Sequence, residues 1–257
     1  MKKELSQIFG LHEYQEELVD FCVRTPKCGL FLQMGLGKTR IALATVCELV
    51  ITNSMLGHCL VVAPKTIARS SWIDEMNKIE IDIRYQSFLV DEKGKELTKA
   101  ERELLFEGAK TAPPTMYFIS RDLLPQMTEY FGTEWCFPMI IADEYQSFKN
   151  PHSKRTKSLM SIMPYTERVI GLTGTPTPNG LDDLWSLIAV LDAGQRLGRT
   201  MYEYHQKYFM AWKTIGSKVT KWIPIIGAEQ RIYDKISDIV VSLDNSNLTL
   251  PPVGYET

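Results

Sequence analysis

The sequence contains no apolar run approaching the length needed to cross a bilayer. Its first residues, Met1-Lys2-Lys3-Glu4, lead into mixed polar chain and not into an apolar signal core. It has no C-x-x-C pair. Its five cysteines, Cys22, Cys28, Cys47, Cys59 and Cys136, are scattered, and its four histidines do not gather beside them. That pattern argues against a zinc site. An odd number of mostly apolar-flanked cysteines suits a reducing, intracellular setting. Charge of one sign is also missing: the net charge is −2 over 257 residues, so any anion-binding surface must be a local patch. Internal repeats and low-complexity segments are absent. What is present is 44% hydrophobic and 23% charged residues, enough for one large domain with a full core and too apolar for wholesale disorder.

Short β-rich apolar runs alternate with amphipathic stretches. The runs are residues 29–33, 58–63, 85–90, 116–120, 139–143 and 168–173. Four are nearly continuous in apolar residues, as strands covered on both faces should be. Between them, residues 38–50, 67–79 and 153–163 read as helices, and 98–110 opens with Thr98 and Glu101 in a capping-box spacing. The alternation predicts an α/β fold with a central, mostly parallel sheet flanked by helices.

The sharpest local signal is Met34-Gly35-Leu36-Gly37-Lys38-Thr39, after the first predicted strand and opening the helix from Lys38. Glycines let a backbone turn tightly and aim its N–H groups at an anion, and the helix N-terminus adds its positive dipole end. Lys38 is expected to reach the β- and γ-phosphates of ATP, the Thr39 hydroxyl to bind Mg²⁺, and Arg40 to lie beside them. Leu32 stands where a G-x-x-x-x-G-K-T pattern begins with glycine. A second signal is Asp143-Glu144 at the end of the apolar strand 139–143, the edge where α/β sheets place ligands. Asp143 is expected to hold Mg²⁺ through water, and Glu144 to orient and deprotonate an attacking water.

Further segments carry a resemblance that spacing alone does not give. Gly171-Leu172-Thr173-Gly174-Thr175-Pro176-Thr177-Pro178-Asn179, then Leu184-Trp185-Ser186-Leu187, resembles motif III of the Swi/Snf-related branch of superfamily 2 helicases. Asp143-Glu144-Tyr145-Gln146, followed by Lys149-Asn150, is similar to that branch's motif II. Leu11-His12-Glu13-Tyr14-Gln15 resembles its opening motif, Val61-Val62-Ala63-Pro64-Lys65 with Trp72 its motif Ia, and Ile119-Ser120-Arg121 sits where motif Ib is expected. The stretch 196–208, Lys221-Trp222-Ile223-Pro224 and Leu250-Pro251-Pro252 look most like phage-type members, hence cytoplasm of a bacterial or phage-infected cell.

The resemblance implies a RecA-like P-loop NTPase lobe that binds ATP and Mg²⁺ and acts in a DNA-dependent ATPase, helicase or translocase. Carried over by position, Gln15 contacts adenine. Lys65, Arg69, Ser120 and Arg121 contact DNA backbone without reading sequence, and Thr173 and Thr175 couple nucleotide state to DNA contact. Tyr145-Gln146 replaces the common Ala-His, a departure that bears on coupling more than on ATP binding. The family also works with a second RecA-like lobe that donates arginines to the γ-phosphate, expected here in cis or in trans. A lobe without that partner is expected to be weak in hydrolysis or to serve as a non-catalytic nucleotide- or DNA-binding module.

Two further stretches bear on DNA. Lys149, Lys154, Arg155 and Lys157 form a basic run. Residues 195–222 interleave six Lys/Arg residues with aromatics against the single acid Glu203. Gln195-Arg196-Leu197-Gly198-Arg199 matches Q-R-x-G-R, the arginine-finger motif of a second lobe. It comes too soon after motif III to serve as one and reads as a loop before a packed helix. The expected organisation is a lobe over 1–194, a C-terminal helical extension over 195–250 and the start of a linker over 251–257.

Overall fold

The computed structural model describes residues 2–54, 57–78, 83–177, 180–215 and 218–244. Helices α1 (Lys2–Phe9) and α2 (Glu13–Arg24) lead into β1 (Lys27–Leu32), α3 (Lys38–Ile51) and β2 (Cys59–Ala63). Next come α4 (Lys65–Arg69), α5 (Ser71–Asn77), β3 (Tyr85–Ser87), α6 (Lys99–Ala109), β4 (Met116–Ser120), α7 (Leu124–Phe131) and β5 (Met139–Asp143). Then follow α8 (Lys154–Ile162), β6 (Arg168–Thr173), α9 (Leu184–Asp192), α10 (Met201–Tyr208), β7 (Phe209–Ile215), β8 (Lys218–Pro224), α11 (Ala228–Ile236) and β9 (Val240–Leu243).

Seven strands form one sheet in the order β3-β4-β2-β5-β6-β1-β9, and every pairing in it is parallel. β2, β4 and β5 are buried along their whole length because helices cover both faces. The period of two then sorts side chains between two cores. Leu60, Val62, Ile140 and Ala142 face one core, with Phe106, Leu124, Leu159 and Ile188 of α6–α9. Val61, Ala63, Ile141 and Leu172 face the other, with Leu18, Ile41, Ala68 and Trp72 of α2–α5.

The six predicted strands and the Thr98 cap are present; Thr98 accepts from the Glu101 amide and Glu101 reaches back to the Thr98 amide. Three expectations need correction. Residues 67–79 are not one helix: the chain breaks at Ser70 (φ −131°, ψ −64°) between α4 and α5, and the expected end at Ile79 lies outside the described residues. The third strand pairs over Tyr85–Ser87 only. The helical extension expected over 195–250 is mixed in its described part: α10 and α11 flank an antiparallel β7–β8 ribbon, and β9 returns to pair with β1 as the seventh strand, while 245–250 lie outside the described residues. The segment 251–257, read as a linker start, lies outside the described residues, as do Pro178 and Asn179. Among the described residues no helix is long and apolar enough to cross a membrane.

Candidate nucleotide site

The parallel register brings the motif residues to one edge. Phe31 pairs with Thr173, Leu172 with Asp143, and Ala63 with Ser120, so the segments that follow these strands share the carboxyl end of the sheet. Only β6 separates β1 from β5, which places the loop after β1 about 10 Å from the Asp143 strand, two interstrand spacings.

The loop is set by two left-handed glycines, Gly35 (φ 88°) and Gly37 (φ 74°). A Cβ on Gly37 would run into the Gln15 amide. Met34 projects into solvent, whereas the Leu36 side chain is fully buried and anchors the loop. The Leu36 carbonyl accepts from Gln15 Nε2 (3.2 Å) and Tyr14 Oη (3.3 Å), and Gln15 Oε1 accepts from the His12 amide (3.0 Å). The opening motif therefore braces the loop. Among the described residues the backbone amides of Gly35, Gly37, Lys38, Thr39 and Arg40 meet no protein acceptor. They are the orphan donors of a helix start, aimed as an anion cradle.

Lys38 Nζ donates to the carbonyls of Leu32 (2.8 Å) and Gln33 (3.3 Å). Burial holds its pKa below the usual lysine range, while the charges of Asp143 and Glu144 pull it back up. Asp143 is buried; its Oδ2 accepts from Trp72 Nε1 (3.0 Å) and its Oδ1 from the Glu144 amide (2.9 Å). Desolvation pushes its pKa above the ordinary carboxylate value, and those two hydrogen bonds pull the other way. Glu144 has φ 50° and ψ 49°, a left-handed backbone rare for a residue with a Cβ.

Trp72 appeared in the sequence only as part of a motif, with nothing to link it to Asp143. Gln146 was unforeseen as a bridge. Its Nε2 donates to Glu144 Oε2, its Oε1 accepts from Thr173 Oγ1 (2.5 Å), and Thr173 Oγ1 accepts from the Thr175 amide (3.2 Å). Tyr145 is fully buried, with its hydroxyl on the Leu187 carbonyl (2.7 Å).

Other expected residues are placed as follows. Arg40 pairs with Glu75 (3.2 Å) on α5. Lys65 and Arg69 both pair with Glu96 (2.9 Å each). Ser120 is buried, and Arg121 Nε is buried with no partner among the described residues. Arg196 is bound to Asp238 (2.9 and 2.5 Å) and Asp192 (3.4 Å). It lines a recess of about 770 Å³ with Pro26, Lys27 and Ile239, at the amino end of the sheet, away from Lys38. The Q-R-x-G-R match is thus a structural loop.

The residues fit Mg-ATP. A cradle of free amides with a half-buried lysine suits polyphosphate. Among the described residues no cluster of three His, Cys, Asp or Glu is placed to hold a metal.

An anion cradle at a helix start, with two acids two strands along the same sheet edge, defines a RecA-like P-loop NTPase lobe. Residues 14–214 match the SNF2-related domain family, and the chain belongs to it. A SWI2/SNF2 ATPase core of Sulfolobus solfataricus, solved in complex with dsDNA, superposes with a TM-score of 0.67 at 25% identity, covering 91% of this chain and 44% of that one. Putative protein p41 of Acyrthosiphon pisum secondary endosymbiont phage 1 is 29% identical over 243 residues, 92% of this chain and 51% of that protein. The chromatin-remodeling ATPase INO80 of Debaryomyces hansenii is 30% identical over 158 residues, 61% of this chain and 11% of that protein. The chain thus spans about half the length of the phage relative and far less of INO80.

Proposed function

We propose that this chain is the ATP-binding lobe of a DNA-dependent ATPase that, with a second RecA-like lobe, couples hydrolysis to movement on DNA. The observation that carries this reading is the convergence of Lys38, Asp143 and Glu144 at one sheet edge, close enough for both acids to act on the lysine's charge. The amides from Gly35 to Arg40 and the Lys38 ammonium would hold the phosphates. Met34 and Leu36 would flank the nucleotide, and Gln15 would meet the adenine. Thr39 and Asp143 are the groups suited to Mg²⁺, which when bound neutralises charge developing on the transferred phosphoryl group. Glu144 would orient the attacking water and accept its proton. Gln146, Thr173 and Thr175 would report the state of the site to the DNA side. There Lys65, Arg69, Ser120 and Arg121 are the proposed backbone contacts. The dsDNA in the Sulfolobus structure and the ATPase named among the relatives support the DNA and ATP parts of this reading.

The test is ATP turnover with and without DNA, with a second RecA-like lobe supplied. Turnover should need both, and Glu144→Gln should keep nucleotide binding while losing turnover. Stimulation by no such lobe, or undiminished turnover in Glu144→Gln, contradicts the proposal.

A further inference from the structure

The β7–β8 ribbon stands apart from the seven-stranded sheet and pairs only with itself. From residue 204 to residue 228 the chain carries Lys207, Lys213, Lys218 and Lys221 and no Asp or Glu, in a protein whose net charge is −2. After Phe209, which is buried, residues 210–214 of β7 are exposed one after another, on both faces; Met210 is 52% and Trp212 66% accessible. Phe209, Trp222 and Ile223 tie the ribbon to the lobe, but residues 210–214 are exposed and gain little from burial, so their composition is not dictated by packing. Its register is unfavourable in isolation. Lys213 lies directly opposite Lys221, a like-charge cross-strand pair, and the register shifts on either side of Lys213 leave Trp212 without a pairing partner.

Several surface lysines elsewhere are neutralised: Lys65 by Glu96, Lys110 by Glu107 and Glu134, Lys149 by Asp183. Among the described residues Lys207, Lys213 and Lys221 have no carboxylate partner. Between α10 and α11, Lys207, Arg231 and Lys235 surround a recess of about 570 Å³ with Tyr208 and one acid, Asp234. The root of the ribbon is fixed to the chain that follows motif III. His205 stacks on Trp222 (4.6 Å) and donates to Asp182 (2.7 Å), and Tyr204 Oη donates to the Leu181 carbonyl (2.8 Å).

We propose that this ribbon grips the phosphodiester backbone of the nucleic acid on which the lobe acts, with Lys213 and Lys221 on phosphates and Trp212 against sugar or an exposed base. The proposal rests on the DNA reading above and adds a contact surface to it. The cross-strand lysines repel each other in the free protein, and a polyanion laid across both removes that repulsion. The cations expected from motif Ia, Lys65 and Arg69, are already held by Glu96, whereas Lys213 and Lys221 of the ribbon are not.

Lys221→Glu separates this role from a structural one, because it turns the repulsive pair into an attractive one. The full chain, wild type and variant, is titrated against a labelled duplex and a labelled single strand at several salt concentrations, and the melting temperature is followed in parallel. The melting temperature should stay or rise. DNA affinity should fall about tenfold or more, and the slope of log affinity against log salt should flatten by about 1 to 2. Lys221→Arg should behave as wild type. Trp212→Ala should weaken single-strand binding more than duplex binding if a base stacks there, and both equally if only sugar is touched. Unchanged affinity and salt slope in Lys221→Glu, with wild type binding DNA, overturns the ribbon and leaves the proposed function standing. A wild type that binds neither DNA overturns both. Unchanged DNA binding with lost stimulation by the second lobe marks the ribbon as a protein interface and also overturns the proposal.

Discussion

Asp143 carries a charge in a place that disfavours it. Its carboxyl is buried and its pKa is raised, chiefly by desolvation. A folded-state pKa above the unfolded value stabilises the protein below about pH 3.9, and that contribution is lost as pH rises through the raised value. With metal and nucleotide absent, the melting temperature of wild type relative to Asp143→Asn should therefore fall as pH rises from that point, then level off. A thermal melt series in both proteins reads it, and a rising difference would contradict the assigned environment. Gln146 gives a second residue-scale expectation. It joins Glu144 to Thr173, so Gln146→Ala should leave nucleotide affinity within a few-fold while DNA-stimulated turnover of the assembled motor falls by more. Equal losses in both would make Gln146 a simple site residue. Lys38, Asp143 and Glu144 were legible in the sequence because their spacing against strand ends is fixed by local geometry. The Gln146 bridge was not, because it depends on the amide meeting a threonine 27 positions away.

Among the elements, the α4–α5 break shows where sequence periodicity falls short. No Gly or Pro marks Ser70, and the apolar pattern runs through it. The turn there accompanies the complete burial of Trp72, whose indole N–H reaches Asp143 from 71 positions earlier in the chain. Trp72→Phe should cost about 1–3 kcal/mol, because it strips a buried carboxylate of a donor. Chemical denaturation measures this, and a loss near zero would mean that Asp143 finds another partner. Gly171 is an analogous constraint on β6. A Cβ there would sit 2.5 Å from the Tyr145 ring, which is fully buried. Gly171→Ala should destabilise by about 1–3 kcal/mol through overpacking, and an unchanged midpoint would contradict that contact. The buried strands were readable because coverage on both faces makes them continuously apolar. The β7–β8 ribbon was not, because residues 210–214 are exposed on both faces and imprint no alternation, and the bulge beside Trp212 breaks what pattern there is. β9 is four residues long at a sheet edge, too short to announce itself.

At the scale of the whole molecule, one seven-stranded parallel sheet and its two cores hold the motif-bearing strand ends in fixed register. Binding then adds stability by mass action: at a hundredfold excess over Kd, Mg-ATP should contribute about 2.7 kcal/mol. At roughly 2–4 °C per kcal/mol for a chain of this size, that is a readable rise in melting temperature. The strand alternation made the sheet predictable from sequence. The return of β9 beside β1 was not, because that pairing depends on contacts more than two hundred residues apart. Calorimetric titration of Mg-ATP into wild type and Lys38→Ala tests the account most directly. The account predicts saturable one-to-one binding to wild type and none to Lys38→Ala at the same concentrations. Equal affinity in the two proteins would contradict it.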